Sequence, residues 1–212
     1  MKYKLVSLNV GGPECYQTDK GELESAYRKT PVKEPTFLSF LNFVGDEQAD
    51  KKNHGGIDQA VCLYPAQHYK HFEKEYNQLF PFPSFGENIT VDGIDERTVN
   101  IGDIFMMGEA ELQVTKPRKP CYIIARTHGI DDFPKRVQTT GYTGFYLRVL
   151  KEGYVQAGDE LLLKASNPHG VKVADVNDVK YHDPHNQEKI RRIIEVEAFP
   201  EEDRASLIKR LS

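Results

Sequence analysis

The sequence predicts a mainly β protein: a closed or partly open antiparallel β-barrel with a few inserted helices and a small C-terminal helical subdomain. Three observations carry this. Alternation of period two runs through the first two-thirds of the 212 residues. Two Gly-Asp corners, Gly102-Asp103 and Gly158-Asp159, each lead into a short apolar strand. After Leu163 the alternation gives way to helical spacing with mixed charge. Period two puts one strand face on a core, as in an antiparallel sheet or barrel.

The first strand is read from "KLVSLNV", where Val6, Leu8 and Val10 alternate with Ser7 and Asn9. The run "AVCLY" is a second strand and leads directly into "PAQHYKHFEKEYNQLF". There Tyr69, Phe72, Tyr76 and Leu79 fall on one helical stripe, and Pro65 suits the first turn. "SFGENITVDG" holds a strand start. The corners introduce "IFMMG" and "ELLLKA" as strands. "AELQVTK" presents Ala110, Leu112 and Val114 to one side, and "GFYLRVL" presents Phe145, Leu147 and Val149. "DDFPKRVQTTG" predicts a turn or two of helix between them.

The barrel is thus expected over residues 1–165 and the helical subdomain over 170–212, joined by the linker-like "KASNPHG". In the tail, Ile190, Ile193, Ile194 and Ala198 form one stripe. Pro200, Glu201, Glu202 and Asp203 open a last helix with the charge its dipole prefers, and Leu207, Ile208 and Leu211 supply its apolar side. A tail of this length is marginal alone, so it should dock on the barrel.

Hydrophobic residues make up 39% and charged residues 28%, as in an ordinary globular protein. No apolar run approaches the ~20 residues of a membrane span. The start, "MKYKLVSLNV", lacks the apolar core of a signal peptide, so a cytoplasmic location is expected. A net charge of −4 argues against a nucleic-acid polymer as partner. Cys15, Cys62 and Cys121 are too scattered for a disulfide framework, which suits free thiols in a reducing compartment.

Four stretches could carry chemistry. In "KPRKPCY", Cys121 follows Pro117 and Pro120 and sits among Lys116, Arg118 and Lys119. Pro120 at the first helical position would put Cys121 in a first turn, where free N–H groups and the dipole favour a negative sulfur. A structural thiol beside solvated cations is the plain alternative. In "NHGGIDQAV", Gly55 and Gly56 permit close backbone approach, and His54 beside them could act as acid, base or oxyanion donor. The same residues also fit a simple glycine turn. In "FGEN", Gly86 precedes Glu87 and Asn88, whose amide suits a heterocycle edge, although such triplets are more often turns. The junction "YPAQH" places Gln67 and His68 at a helix start, a seat that can take phosphate. His128, His169, His182 and His185 lack metal-ligand spacing with one another.

Together, "KKNHGGIDQAVCLYPAQHY", "FGENITVDGI", "VNIGDIFMMGEAELQVTKPRKPCY" and "TGYTGFYLRVL", in this order, resemble a MOSC domain of the YiiM-type branch. The resemblance covers nearly all of residues 1–165, and the tail resembles that branch's three-helix extension. It implies a PK-barrel-like fold that binds the molybdenum cofactor (molybdopterin-bound molybdenum). It also implies that Cys121 is the catalytic cysteine, either a molybdenum ligand or a sulfur carrier. Its other signature positions fall on His54, Gly55, Gly56, Gly86, Glu87, Asn88 and Arg118. The implied activity is that of an oxidoreductase, the reduction of N-hydroxylated bases such as 6-hydroxylaminopurine. Electrons would come from a separate flavin or iron–sulfur partner, and a homodimer is compatible. The alternative is a non-reductive sulfur carrier or cofactor-delivery module with a Cys121 persulfide. On either reading, these residues should converge on one pocket near the helix that follows Pro65.

Overall fold

A computed structural model describes residues 1–47 and 55–211. The N-terminal strands are β1 (Lys2–Val10), β2 (Glu14–Thr18), β3 (Gly21–Ser25), β4 (Thr30–Pro31) and β5 (Thr36–Leu38). Next come β6 (Val61–Pro65), α1 (Ala66–Tyr76), β7 (Ile89–Asp92), β8 (Ile104–Met107) and β9 (Ala110–Pro117). Helices α2 (Tyr122–His128) and α3 (Phe133–Thr140) precede β10 (Phe145–Lys151), β11 (Gly153–Val155) and β12 (Glu160–Ala165). The tail holds α4 (Val173–Tyr181), α5 (Gln187–Ile194) and α6 (Glu201–Ile208).

Seven strands close a barrel in the order β12-β8-β9-β10-β6-β7-β1, and β1 pairs back onto β12 through Lys2 opposite Leu162. Strand β4 adds outside β1, while β2–β3 and β5–β11 form separate two-stranded sheets. The barrel pairs are antiparallel except β6–β7, where Leu63 faces Ile89 in parallel. Between those two strands lies α1, the crossover that parallel pairing requires.

The inward faces of β9 and β10 are those the alternation predicts: Ala110, Leu112, Val114, Phe145, Leu147 and Val149 are buried. Strand β1 departs from the prediction. Its pairing with β7 shifts between Leu5 and Ser7, so Leu5 and Leu8 point inward and Val6 is left exposed. A bulge adds one residue and exchanges the faces beyond it, which regular alternation cannot foresee.

Helix α1 also ends sooner than its stripe suggests. Asn77 takes a left-handed conformation (φ 50°) and its N–H returns to Glu73 O, which leaves Leu79 exposed. Pro65 closes β6 in extended geometry rather than entering the first turn. In the tail, Ala198 is buried but lies past the end of α5, and Ile208 is exposed.

The tail shares the barrel's core. Val173, Val176, Val179, Ile190, Ile193, Phe199 and Leu207 belong to the same apolar cluster as the barrel strands. A second, aromatic cluster lies between the outer barrel wall and helices α1–α3, built from Tyr64, Tyr69, Phe72, Phe80, Phe85 and Phe133. The tail is also tied electrostatically. Asp203 of α6 accepts from Lys116 Nζ of β9 at 2.7 Å and from Lys180 Nζ of α4 at 2.9 Å. Burial opposes the Asp203 charge, but Lys180 and Lys116 outweigh it and hold the carboxyl below its usual range.

A carboxyl depressed in the folded state stabilises above its unfolded pKa, and the contribution is lost as pH falls through the folded value. Asp203→Asn is therefore expected to cost about 1–2 kcal/mol in urea unfolding at neutral pH. The gap from wild type should shrink as pH drops below about 4. A gap independent of pH would show that the carboxylate charge does not hold the tail.

Candidate functional site

The "KPRKPC" segment leaves the barrel at the end of β9. Pro117 is the last paired residue, opposite Phe145, and the Arg118 N–H continues the edge by donating to Gly144 O at 3.0 Å. Two residues later the chain turns over the outer wall and α2 begins at Tyr122. Cys121 is the N-cap, extended at φ −106° and ψ 152°, and its carbonyl accepts from Ile124 N at 3.2 Å. Pro120 thus precedes the cap instead of opening the helix, and Cys121 stands at the helix entrance rather than in its first turn. The Cys121 side chain caps nothing and is partly exposed.

It opens onto a cavity of about 220 Å³ on the outer face of the barrel. Cys62 of β6 and Tyr146 of β10 face each other across the sheet and form part of its wall. The segment Glu24–Tyr27, with Lys29, closes the opposite side, and Asp46, Glu47, Phe85, Gly86 and Asn88 complete the surroundings. The β2–β3 hairpin is held over α2 by Arg126, whose Nη2 donates to the carbonyls of Lys20, Gly21 and Glu22 at 3.0–3.2 Å and to Thr18 Oγ1 at 3.1 Å. Tyr16 and Thr127 add a hydroxyl pair at 2.9 Å.

Arg118 is a buried cation of the cavity, which Lys29 and Lys119 also line. It is 7% exposed, donates through Nη1 to Phe85 O and lies 5.5 Å from the Tyr64 ring centroid. Its Nε has no hydrogen-bond partner among the described residues. Burial works against its charge. Cys62, Tyr27, Tyr146 and Tyr64, which ionise only at high pH, outweigh that in the range where a guanidinium would lose its proton and raise its pKa above the ordinary value. Lys29 is nearly as buried and pairs with Asp46. Asp46 also accepts from Gly11 N at 3.0 Å and Asn88 Nδ2 at 2.8 Å, so its carboxylate is fully engaged. Cys62 differs from Cys121. Burial pushes its thiol up to about 11, with Arg118 acting in the opposite direction and Glu87 adding to the rise. It is a neutral thiol at physiological pH.

The sequence-derived residues divide into three groups. Cys121, Arg118, Gly86 and Asn88 meet at the cavity. Gly86 is at φ +72°, and a Cβ there would come within 2.7 Å of the Tyr27 ring, so only glycine lets this wall close. Asn88 does not offer its amide to a ligand. Oδ1 accepts from Cys62 N at 3.0 Å and Nδ2 serves Asp46.

Glu87 lies behind the wall with no exposed surface. Its carboxylate takes the Tyr69 hydroxyl, Phe85 N at 3.0 Å and the Thr90 hydroxyl at 2.8 Å. Gly55 and Gly56 do not line the cavity. Gly56 (φ 101°) precedes a short 3₁₀ turn, Ile57–Gln59, whose Gln59 does. His54 lies outside the described residues.

Gln67 and His68 are elsewhere, which corrects the expectation of a phosphate seat at the β6–α1 junction. Gln67 Nε2 donates to Ile94 O at 2.7 Å. His68 is buried against Glu96 at 2.7 Å and stacked on Tyr142 at 4.0 Å. The loop after β7 has taken both side chains. Conversely, Tyr27, Lys29, Asp46, Cys62 and Tyr146 were not foreseen as site residues. The run "ECYQTDKGELES", two alternating stretches about a Lys-Gly turn, was the available signal for the hairpin that carries the first of them.

Residues 50–162 match the model of the MOSC domain, and residues 173–212 match that of the YiiM-like 3-alpha helix domain. The chain belongs to the MOSC family. YflK, an uncharacterized protein of Bacillus subtilis (strain 168), is 43% identical over 99% of this chain and 95% of its own length. The crystal structure of YiiM from Geobacillus stearothermophilus is similar with a TM-score of 0.84 and 33% identity, covering 99% of this chain and all of that one. A Gibberella moniliformis protein named "Reductase" is 34% identical over 68% of this chain, which spans only 26% of that larger protein. The MOSC match begins after β5, so the hairpin wall and Lys29 lie outside it, while Cys121 and Arg118 lie within it.

Proposed function

We propose that this MOSC protein binds the molybdenum cofactor in the cavity beside Cys121 and reduces N-hydroxylated bases or similar N-oxygenated compounds. The observation that carries the reading is the buried Nε–H of Arg118, without a hydrogen-bond partner among the described residues, in the cavity that Cys121 enters. A buried donor without an acceptor is costly, and an anionic ligand group would satisfy it. Lys29 gives one N–H to Asp46 and keeps further donors for the same anion.

Among the described residues no group of three or more His, Cys, Asp or Glu is placed to hold a metal. Cys121 is one soft ligand, which suits a metal that arrives with sulfur ligands of its own. When bound, the cofactor would supply a metal able to take oxygen from an N–OH group, with electrons from a separate flavin or iron–sulfur protein. This chain's own part is to seat the pterin phosphate on Arg118 and Lys29 and to hold the Cys121 sulfur at the cavity. Phe85, Tyr27 and Tyr146 would keep water out. The Gibberella relative's name is consistent with a reductase.

Protein made in a host that synthesises molybdopterin should carry molybdenum near one atom per chain. With a suitable electron donor it should convert 6-hydroxylaminopurine to adenine. A persulfide on Cys121 with no molybdenum would instead identify a sulfur carrier, and neither species would refute both readings.

A further inference from the structure

We propose that a second cavity, between the barrel and the tail, binds a small organic ammonium ion through Asn177 and Asp175. The cavity holds about 280 Å³ and shares no residue with the one at Cys121. The loop after β7 (residues 95–97), the turn between α3 and β10 (residues 140–142), α4 and Lys189 of α5 enclose it. Asn177 of α4 forms part of the wall and is 2% exposed. Its Nδ2 donates to Gly141 O at 3.1 Å and to Thr143 Oγ1 at 2.9 Å, while Oδ1 has no hydrogen-bond partner among the described residues. Exchanging the two amide atoms would set Oδ1 against the Gly141 carbonyl, which cannot donate, so the orientation is fixed. A buried acceptor of this kind calls for a ligand that donates.

Charge sets the class of donor. Asp95, Glu96, Asp175 and Asp178 line the cavity against Arg97 and Lys189. Glu96 is engaged by His68 and the Gly144 N–H, and Asp178 by Lys189 and His182. Arg97 is drawn aside over the Tyr142 ring, 5.9 Å from its centroid. Asp175 stays open: one oxygen accepts from Lys172 N at 2.8 Å, and the other accepts nothing from the described residues. A water would serve Asn177 Oδ1 but leave the excess negative charge unbalanced, whereas an ammonium ion answers both. Among the described residues no group of three His, Cys, Asp or Glu is placed to hold a metal, so the cation is one that binds by N–H donation.

Nuclear magnetic resonance titration with butylammonium chloride, and with butanol as its neutral match, tests this. In the wild-type protein, butylammonium should shift the amides of Gly141, Tyr142 and Asn177 to saturation. Butanol should bind about tenfold more weakly, the loss of a charge-assisted hydrogen bond. Asp175→Asn keeps an acceptor for Lys172 N and removes the charge, so butylammonium affinity should fall about tenfold. Asn177→Ala should weaken binding by a similar factor. That variant also strands Gly141 O and Thr143, so thermal unfolding must show it folded; if it is not, Asp175→Asn decides alone. Equal binding of the two probes, or unchanged affinity in Asp175→Asn, overturns the proposal. So does the lack of any saturable shift, which would leave water alone at Asn177 Oδ1.

Discussion

Cys121→Ser is expected to abolish molybdenum retention and reductase activity while the barrel stays folded. A hydroxyl is harder and far less acidic than a thiol, so it makes a poor ligand for a soft metal centre. Loss of a ligand should exceed the roughly 10–100-fold that loss of an outer partner costs. Stability should change little, because Cys121 caps no helix through its side chain and is partly exposed. Metal content by mass spectrometry, activity with 6-hydroxylaminopurine and thermal unfolding separate these effects. Full metal content with full activity in the variant would remove Cys121 from the chemistry and leave "KPRKPCY" as a stiff turn.

Glu87→Ala is expected to give the opposite pattern, a loss of stability in ligand-free protein. The substitution strands the Tyr69 and Thr90 hydroxyls and the Phe85 N–H in a fully buried place. At about 1–3 kcal/mol for each unsatisfied buried group, a total near 3–5 kcal/mol follows, allowing for relaxation. For a chain of this size that lowers the melting temperature by about 10 °C. Glu87→Gln keeps an acceptor and the shape, and should recover part of the loss. An unchanged melting temperature in the alanine variant would mean that the carboxylate serves a ligand rather than the wall.

The two cases show what the residues disclosed and what they concealed. Alternation exposed the inward faces of β9 and β10, because each is set by a strand's own pleat. The β1 bulge hid Leu5 in favour of Val6, because pairing irregularities depend on the neighbouring strand. At the site, the cysteine and arginine were legible from a proline-framed, cationic segment and from family resemblance. Glu87 was legible as special but not as structural, since its three donors come from Tyr69, Phe85 and Thr90, and the Tyr69 hydroxyl reaches it only through the folded chain. Gln67 and His68 looked available at a helix start, and only the packed loop that follows β7 shows them committed to Ile94 and Glu96. Lys29 and Asp46 carried no motif. Their meaning comes from burial, which a linear sequence does not display.

The seam of the barrel joins Lys2 to Leu162. One edge of β1 can be covered once β7 is made; on the other, β4 covers Asn9 and Val10 early, but residues 2–4 have no strand partner until β12 has left the ribosome. At about 5–20 residues per second, that end of the first strand waits roughly 10–30 s for β12. An uncovered strand edge beside apolar residues is a template for pairing with other chains. The contacts that finish the fold are also among its most distant in sequence, which slows closure. Newly made chains should therefore depend on holding factors in proportion to the rate of synthesis, and slower expression at lower temperature should raise the soluble yield.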